Sequence, residues 1–211
     1  MLFRSDALSN ILAISNFDDK ELEKILLNAS FQMSQSALLS KLIIPLIFQV
    51  GELWHSGEIR VMHEHMATSV LSGFLSNMRN NYQVGDNAPV AIVTTPVGQN
   101  HDMGAQIMSV VAAAEGWRVI YLGANLPSDE IASAVSELKA GIVLLSIVYP
   151  AEDQYLRMDL LKLGNLLSED VKIVAGGRMA KNYKQELQTI RATYVEDLND
   201  FRNIARELKS S

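Results

Sequence analysis

The segment that decides the fold spans residues 88–104 and reads Ala-Pro-Val-Ala-Ile-Val-Thr-Thr-Pro-Val-Gly-Gln-Asn-His-Asp-Met-Gly. Its first half, residues 88–95, is a nearly continuous run of apolar and β-branched side chains, which predicts a strand buried on both faces. A polar loop containing His101 follows, and residues 103–115 have the pattern of a helix that ends at Gly116. The segment therefore predicts a strand, a loop and a helix in succession, with a histidine in the loop.

The same alternation continues to the end of the chain. Strands are predicted over residues 117–122, 141–149, 171–175 and 192–196, and helices over residues 128–139, 153–167 and 198–208. Ser128 is the expected cap of its helix. Buried strands that alternate with helices favour a doubly wound, flavodoxin-like Rossmann domain with a parallel five-stranded sheet, whose ligand lies beyond the carboxyl ends of the strands.

The N-terminal part of the chain has only helical patterns. Four amphipathic helices are expected: residues 6–15, a second helix behind the cap signature of Asp18 and Glu21, a third from about residue 34 to 54 with a kink at Pro45, and residues 58–80. Residues 80–89 are polar and break the periodicity, as a linker does. The fold class expected is α + α/β, with a four-helix bundle over residues 1–82 and a Rossmann-type domain over residues 88–211.

Composition excludes several classes of function. Asp and Glu outnumber Lys and Arg by 24 to 18, and the basic residues form no cluster, so nucleic-acid binding by this chain is not expected. The absence of cysteine removes disulfides, thiolate ligands and thiol nucleophiles. We find neither a signal peptide nor a long apolar run, so we expect no membrane span and a cytoplasmic location.

A second informative segment, residues 54–65, reads Trp-His-Ser-Gly-Glu-Ile-Arg-Val-Met-His-Glu-His and contains three of the four histidines. A helix from Glu58 onward places Val61, Glu64 and His65 on one face, at positions i, i+3 and i+4. An unpaired carboxylate or imidazole is costly inside a core. This face, with Trp54 beside it, is therefore predicted to bind a ligand, whereas His63 points elsewhere and is expected to be a surface histidine.

The loop after the first strand does not carry a nucleotide-binding motif. Residues 94–104 contain neither the dinucleotide glycine fingerprint nor a phosphate loop with Gly-Lys-Ser/Thr. Instead Gln99-Asn100-His101-Asp102-Met103-Gly104 is similar to the Asp-x-His-x-x-Gly motif of cobalamin-binding domains. The resemblance implies that His101 is the lower ligand of cobalt, a role for which imidazole is well suited, and that Gly104 opens the helix behind it.

The same resemblance implies a deep slot in the Rossmann domain for the displaced nucleotide tail of the cofactor. The family marks this slot with a Ser-x-Leu-like segment and a glycine pair, which correspond here to Ser146-Ile147-Val148 and Gly176-Gly177. Glycine leaves room for a ligand to pass close to the backbone. One position departs from the family, because Gln99 replaces the usual acidic residue. An amide there is expected to orient the imidazole with less electrostatic help, which gives a weaker lower bond.

The helical part resembles the light-dependent MerR-type repressors called CarH, which carry a Trp-x9-Glu-His signature. Trp54 and Glu64-His65 have that spacing, with Val61 between them. The resemblance implies that these four residues surround the 5′-deoxyadenosyl group of adenosylcobalamin, and that His55 binds the vacated face of cobalt after light removes that group. It implies a non-enzymatic light sensor that is a homo-oligomer in the dark and signals directly or through a protein partner. The MerR winged-helix domain is not in this sequence, so DNA binding is not carried over.

Three alternatives remain open at this point. The first is a corrinoid methyl carrier, which has the same two domains but needs an upper face that is open to methyltransferases. The second is a haem- or tetrapyrrole-sensing antirepressor of the same fold. The third is that the chain is part of a longer repressor.

Overall fold

The computed structural model describes residues 2–149 and 152–210, and it comprises two compact units, Met1–Asn77 and Met78–Ser211. The division falls within the last helical turns of the fifth helix. The predicted domain limits, residues 1–82 and 88–211, remain predictions.

The first unit is helical throughout its regular structure. Its helices are α1 (Leu2–Ser15), α2 (Asp19–Gln32), α3 (Gln35–Leu38), α4 (Ile44–Ser56) and α5 (Val61–Asn80), and a π-turn (Leu39–Ile43) joins α3 to α4. Because α3, the π-turn and α4 form one continuous run, the unit contains the four helical rods that the sequence predicts. Its core consists of aliphatic side chains such as Leu26, Ile43 and Leu71.

Two predicted features of this unit are explained by local hydrogen bonds. Asp18 caps α2, since its side chain accepts the backbone N–H of Glu21 at 2.9 Å. Pro45 lies at the start of α4, immediately after the π-turn. Proline has no N–H to donate to the residue four positions earlier, and the wider π-turn places the irregularity at that point.

The fifth helix begins later than predicted. α4 ends at Gly57, which has a left-handed φ of 81°, and α5 starts at Val61 rather than at Glu58. His63 is not a free surface histidine: its Nδ1 accepts the backbone N–H of Arg60 at 3.0 Å, and its ring stacks on Phe17 at 4.3 Å. The imidazole thus has the role that a Glu or Gln side chain has in a capping box.

The third helical run also corrects an expectation about membranes. Gln35–Ser56 is 22 residues long, with a mean hydropathy of 1.5, so the chain does contain a helix long and apolar enough to cross a membrane. One third of this apolar window is buried inside the protein. The core helix of a soluble protein meets the same criterion, so length and composition alone do not distinguish the two.

The second unit contains a parallel five-stranded sheet with the order β2-β1-β3-β4-β5. The strands are β1 (Val90–Thr94), β2 (Arg118–Tyr121), β3 (Ile142–Ser146), β4 (Lys172–Gly176) and β5 (Thr193–Tyr194). This order confirms the predicted flavodoxin-like Rossmann fold. The chain reverses its direction of winding between β1 and β3, so their carboxyl ends form the crevice in which such folds bind ligands.

Helices in the second unit form two groups. They are α6 (Met103–Ala114), α7 (Ser128–Leu138), α8 (Gln154–Leu166), α9 (Lys184–Thr189) and α10 (Leu198–Ser210), with a 3₁₀ turn (Ala180–Tyr183) before α9. α6 packs against α10, and α8 packs against both α7 and α9. The sequence analysis did not predict α9, which is only six residues long.

One predicted cap in this unit is wrong. Ser128 is the first residue of α7, and its side chain does not cap the helix. Instead Asp159 of α8 accepts hydrogen bonds from both the Ser128 hydroxyl, at 2.8 Å, and the Ser128 backbone N–H, at 3.2 Å. A carboxylate from a neighbouring helix therefore satisfies the N-terminal N–H of α7.

Candidate functional site at the carboxyl edge of the sheet

His101 lies in the loop between β1 and α6, beyond the carboxyl end of β1. Its side chain is exposed, whereas the strand behind it is buried. The loop is eight residues long, residues 95–102, and side-chain hydrogen bonds attach it to three neighbouring strands or loops. The histidine is therefore presented to solvent by a loop that is itself fixed.

The first attachments involve the ends of β1 and β2. The Thr95 hydroxyl donates to the carbonyl oxygen of Gln99 and accepts the backbone N–H of Asn125 at 2.8 Å. Asn125, which follows β2, in turn accepts the backbone N–H of Gly98 at 2.7 Å. Asn125 has a left-handed φ of 61°, a conformation that asparagine tolerates better than most residues.

Gln99 attaches the loop to the end of β3. It is 1% exposed, and its Oε1 accepts the backbone N–H groups of Val148 at 2.8 Å and Tyr149 at 3.0 Å. Its Nε2 has no hydrogen-bond partner. The amide therefore holds the β3 loop, and the structure does not pair it with the imidazole of His101.

Asp102 lies at the N-cap position of α6, but its side chain does not cap the backbone N–H groups of the helix. Its carboxylate accepts the hydroxyl proton of Tyr121, at the end of β2, and the Nε2 proton of Gln106 at 3.2 Å. The guanidinium of Arg79 lies 5.5 Å from the centre of the Tyr121 ring. Burial, followed by the hydrogen bond to Asp102, raises the pKa of Tyr121 well above its usual value.

A second buried polar atom without a partner, after Nε2 of Gln99, lies at the carboxyl end of β3. Ser146 is completely buried, and its Oγ has no partner. A Cβ atom at Gly104 would overlap that hydroxyl and would approach Val148 to 3.9 Å. Gly104, Ser146 and half-buried Val148 therefore lie against one another.

Backbones approach closely at the glycine pair after β4. Gly177 has a φ of 106°, and a Cβ there would lie 2.5 Å from the carbonyl oxygen of Ile147. At Gly176 a Cβ would lie 2.9 Å from a methyl carbon of Val195. Only glycine fits at Gly177, since both the backbone conformation and the space exclude a side chain.

These observations fit a site that is completed by a ligand. Two buried polar atoms, on Gln99 and Ser146, lack partners at the same edge of the sheet, although buried polar groups are normally satisfied. Among the described residues no three His, Cys, Asp or Glu side chains form a cluster able to hold a metal ion. The exposed imidazole of His101 is a donor that could serve as an axial ligand to a metal held by a macrocycle, such as the cobalt of a corrin.

The predicted upper-ligand residues lie in the first unit. Trp54 and Val61 are 46% and 49% exposed, large fractions for apolar side chains. Glu64 accepts hydrogen bonds from the Thr68 hydroxyl at 2.9 Å and from Nδ1 of His65 at 2.8 Å. The later start of α5 leaves Val61, Glu64 and His65 at helical positions i, i+3 and i+4. His55 is exposed in the last turn of α4.

Comparison with known proteins decides the family. A B12 binding domain model matches residues 89–209, more than half of the chain, and a second B12 binding domain model matches residues 11–77. The chain belongs to the B12-binding domain family. This confirms the resemblance to cobalamin-binding domains drawn from the motif around His101, and it makes a cobalamin the ligand class of the chain.

Two kinds of relative match this B12-binding chain. It is 22% identical to the HTH-type transcriptional repressor CarA of Myxococcus xanthus, over 94% of this chain and 67% of the relative, and 21% identical to CarH of the same organism, over 93% and 66%. It is 26% identical to dimethylamine corrinoid protein 3 of Methanosarcina acetivorans, over 63% of each chain. The chain spans about two thirds of the length of the curated relatives it matches.

Solved structures support the fold. The monomethylamine corrinoid protein of Methanosarcina barkeri matches with a TM-score of 0.66 and 18% identity, over 93% of this chain and 94% of that one. A cobalamin-binding protein of Desulfitobacterium hafniense DCB-2 matches with a TM-score of 0.50 and 20% identity, over 98% of each chain. The B12-binding chain thus has the fold of corrinoid proteins.

Sequence reasoning missed three residues of this edge: Tyr121, Asn125 and Tyr149. Each contributes a phenol, an amide or a backbone N–H to the loop that carries His101. The signals were weak, because each residue lies just after a predicted strand or at its end, where polar residues are common. Their partners became evident only when the strands were placed side by side.

Proposed function

We propose that this chain is an adenosylcobalamin-binding light sensor, in which His101 is the lower ligand of cobalt and Trp54, Val61, Glu64 and His65 contact the adenosyl group. When bound, adenosylcobalamin supplies a Co–C bond that visible light breaks. The observation that carries the proposal is the similarity to the CarA and CarH repressors over more than nine tenths of the chain.

The described residues support the proposed role of His101 as the lower ligand, because hydrogen bonds already fix its loop. The loop of His101 is attached through Thr95, Gln99 and Asp102, while the imidazole itself is exposed. A ligand that is fixed before the metal arrives loses little conformational entropy on binding. Ser146 supports the presence of a slot, because its buried hydroxyl lacks a partner.

The residues of the first unit support the proposed contacts with the adenosyl group. Trp54 and Val61 expose apolar surface, and Glu64 and His65 are paired with each other. This combination offers stacking area and both hydrogen-bond acceptors and donors, which a nucleoside requires. We propose that loss of the adenosyl group exposes these residues, that His55 then binds cobalt, and that the contacts between copies of the chain weaken.

The test is reconstitution with adenosylcobalamin in the dark, followed by absorption spectra and gel-filtration elution volumes before and after green light. We expect a retained corrin spectrum that converts to a bis-imidazole form, together with a decrease in apparent size. A retained corrin whose spectrum changes without any change in size would contradict the proposed signalling output.

The role proposed for His55 is tested with a variant and a matched control. His55→Ala should leave the dark spectrum unchanged and prevent the bis-imidazole spectrum in the light, because no second imidazole reaches cobalt. His63→Ala is the matched control, since the His63 ring is occupied by Arg60 and Phe17. A lit spectrum of His55→Ala identical to that of the parent would refute the role of His55.

A second candidate function is a corrinoid methyl carrier. It is favoured by the match to dimethylamine corrinoid proteins over 63% of this chain and by the likeness to the monomethylamine corrinoid protein structure. A carrier would retain methylcobalamin and pass its methyl group to a partner methyltransferase, without a response of oligomeric state to light. The two functions are separated by comparing the affinity for adenosylcobalamin with that for methylcobalamin in the dark.

A further inference from the structure

The side-chain amide of Gln99 has a fixed orientation. Its Oε1 accepts two backbone N–H groups, from Val148 and Tyr149, at 2.8 and 3.0 Å. The reverse orientation would place the NH₂ group against two donors, so the assignment of oxygen and nitrogen follows from the contacts. The Nε2 is therefore a buried donor, on a residue that is 1% exposed, and it has no acceptor.

This donor does not match the imidazole of His101. An imidazole that coordinates a metal through one ring nitrogen carries its proton on the other, which is then a donor. Two donors do not form a hydrogen bond, and the oxygen of Gln99 has already used both of its lone pairs on Val148 and Tyr149. A carboxylate in this position could accept the imidazole proton, whereas the amide of Gln99 has no acceptor left.

An acceptor atom of a bound ligand would satisfy this donor. Ser146 at the end of β3 also leaves a polar atom buried and unpaired, two residues before the Val148 N–H that Gln99 binds. Gly104 allows α6 to pack directly against Ser146, because a Cβ at Gly104 would overlap the Ser146 hydroxyl. Two unpaired polar groups on adjoining segments are typical of a site that is completed by its ligand.

We propose that Gln99 is a contact of the bound corrinoid, to which its Nε2 donates a hydrogen bond, and that it does not support the imidazole of His101. The inference rests on the cobalamin binding in the proposed function but not on the response to light. Its acceptor lies either on the nucleotide tail or on the amide substituents of the corrin ring. Both offer acceptor oxygen or nitrogen atoms.

The test is Gln99→Glu in the full chain, measured as the dissociation constants of cobalamin and of cobinamide, which lacks the nucleotide tail. Glu retains an oxygen for the N–H groups of Val148 and Tyr149 but replaces the donor by an acceptor. We expect cobalamin to bind about 10- to 100-fold more weakly, because a buried hydrogen bond is replaced by two facing acceptors. Weakening for cobalamin alone would place the acceptor on the tail, and weakening for both ligands would place it on the ring.

The matched control is Gln188→Glu in helix α9. It makes the same change from amide to carboxylate at a residue that holds no part of the loop of His101. Gln188 is exposed, so we expect the affinity of this variant for both ligands to stay within about threefold of the parent. If Gln99→Glu does not fold, Gln99→Met, which has a similar length and no donor, tests the same point.

A second measurement distinguishes a contact between Gln99 and the corrinoid from support of the His101 imidazole by Gln99. The electron paramagnetic resonance spectrum of the bound Co(II) form reports coupling to an axial nitrogen. If Gln99→Glu bound both ligands as tightly as the parent, or if the axial nitrogen coupling increased as expected for a carboxylate facing the imidazole, the proposal would be overturned. A parent that bound neither ligand would overturn cobalamin binding itself, while a missing light response would affect only the sensor function.

Discussion

At the scale of single residues, we expect the exposed side chain of His101 to be needed for binding cobalt but not for the stability of the cofactor-free protein. The loop around it is held by Thr95, Gln99 and Asp102, none of which needs the imidazole. His101→Ala should therefore leave the free energy of unfolding of the cofactor-free protein within about 0.5 kcal/mol of the parent. It should remove the axial nitrogen coupling from the resonance spectrum of bound Co(II) corrinoid.

Asn100→Ala is the control for that variant, since Asn100 is an exposed neighbour in the same loop. It should retain the nitrogen coupling. A coupling that persists in His101→Ala would identify another residue as the lower ligand.

Replacing Ser146 is expected to act in opposite directions on the stability of the cofactor-free protein and on its affinity for cobalamin. Its buried hydroxyl has no partner, so Ser146→Ala should leave the cofactor-free protein as stable as the parent or make it more stable by up to about 1 kcal/mol. The same variant should bind cobalamin more weakly. Thr94→Val is the control, because the buried Thr94 hydroxyl donates to Gly123 at 2.9 Å, and its loss should cost about 1 kcal/mol. Urea unfolding and cofactor titration measure both quantities.

Tyr121 gives a pH prediction. Tyrosine in an unfolded chain titrates near pH 10. Burial, and then the hydrogen bond to the Asp102 carboxylate, raise the pKa of Tyr121 in the folded protein. Tyr121 should therefore contribute to stability below about pH 10, and this contribution should be lost as the pH rises further. Tyr121→Phe should be less stable at pH 8 but should lose less stability between pH 9 and 11. An unchanged slope of unfolding free energy against pH would contradict this.

At the scale of secondary-structure elements, the turn after β4 is constrained most tightly. Gly177→Ala adds a Cβ at 2.5 Å from the Ile147 carbonyl oxygen, at a φ that alanine rarely adopts. We expect a loss of at least about 2 kcal/mol, because backbone atoms of both segments must move. Gly85→Ala, in the same unit and with no atom within 4 Å of the added Cβ, should be neutral or slightly stabilising. Thermal unfolding of both variants checks the difference.

The elements also show which local signals are reliable. The cap of α2 was predictable, because Asp18 and its N–H partner Glu21 are three residues apart in sequence. The cap of α7 was not, because the Asp159 carboxylate that bonds Ser128 comes from another helix. The start of α5 was predicted three residues too early, since Gly57 ends one helix and the chain turns before Val61 begins the next.

At the scale of the whole molecule, cofactor binding and folding are linked. A ligand that binds only the folded state at 100 times its dissociation constant adds about 2.7 kcal/mol to the free energy of unfolding. Hydrogen exchange should slow most in the loops at the carboxyl edge of the sheet, residues 96–102 and 147–149, and least at the opposite edge, residues 168–171. Equal slowing at both edges would contradict the placement of the ligand.

The sequence by itself determined the sheet, four of the five helices around it and the position of His101. Strand and helix periods are local properties, so buried alternation after residue 88 predicts a parallel sheet, and folds of this class bind their ligand at the carboxyl ends of the strands. The resemblance to cobalamin-binding domains also follows from residue types in the sequence, through His101, Gly104 and the glycine pair at Gly176. These features can be recognised without knowing which strands are neighbours.

Only the tertiary structure decided which hydrogen bonds Gln99 forms. Its partners, Val148 and Tyr149, lie 49 and 50 residues away in sequence, and they come within reach because β1 and β3 are adjacent in the sheet. The same adjacency leaves Ser146 unpaired beside Gly104, and a comparable one between β1 and β2 joins Asp102 to Tyr121. A residue type states which hydrogen bonds a side chain can form, but the packing of distant strands determines which of them it makes and which a ligand must complete.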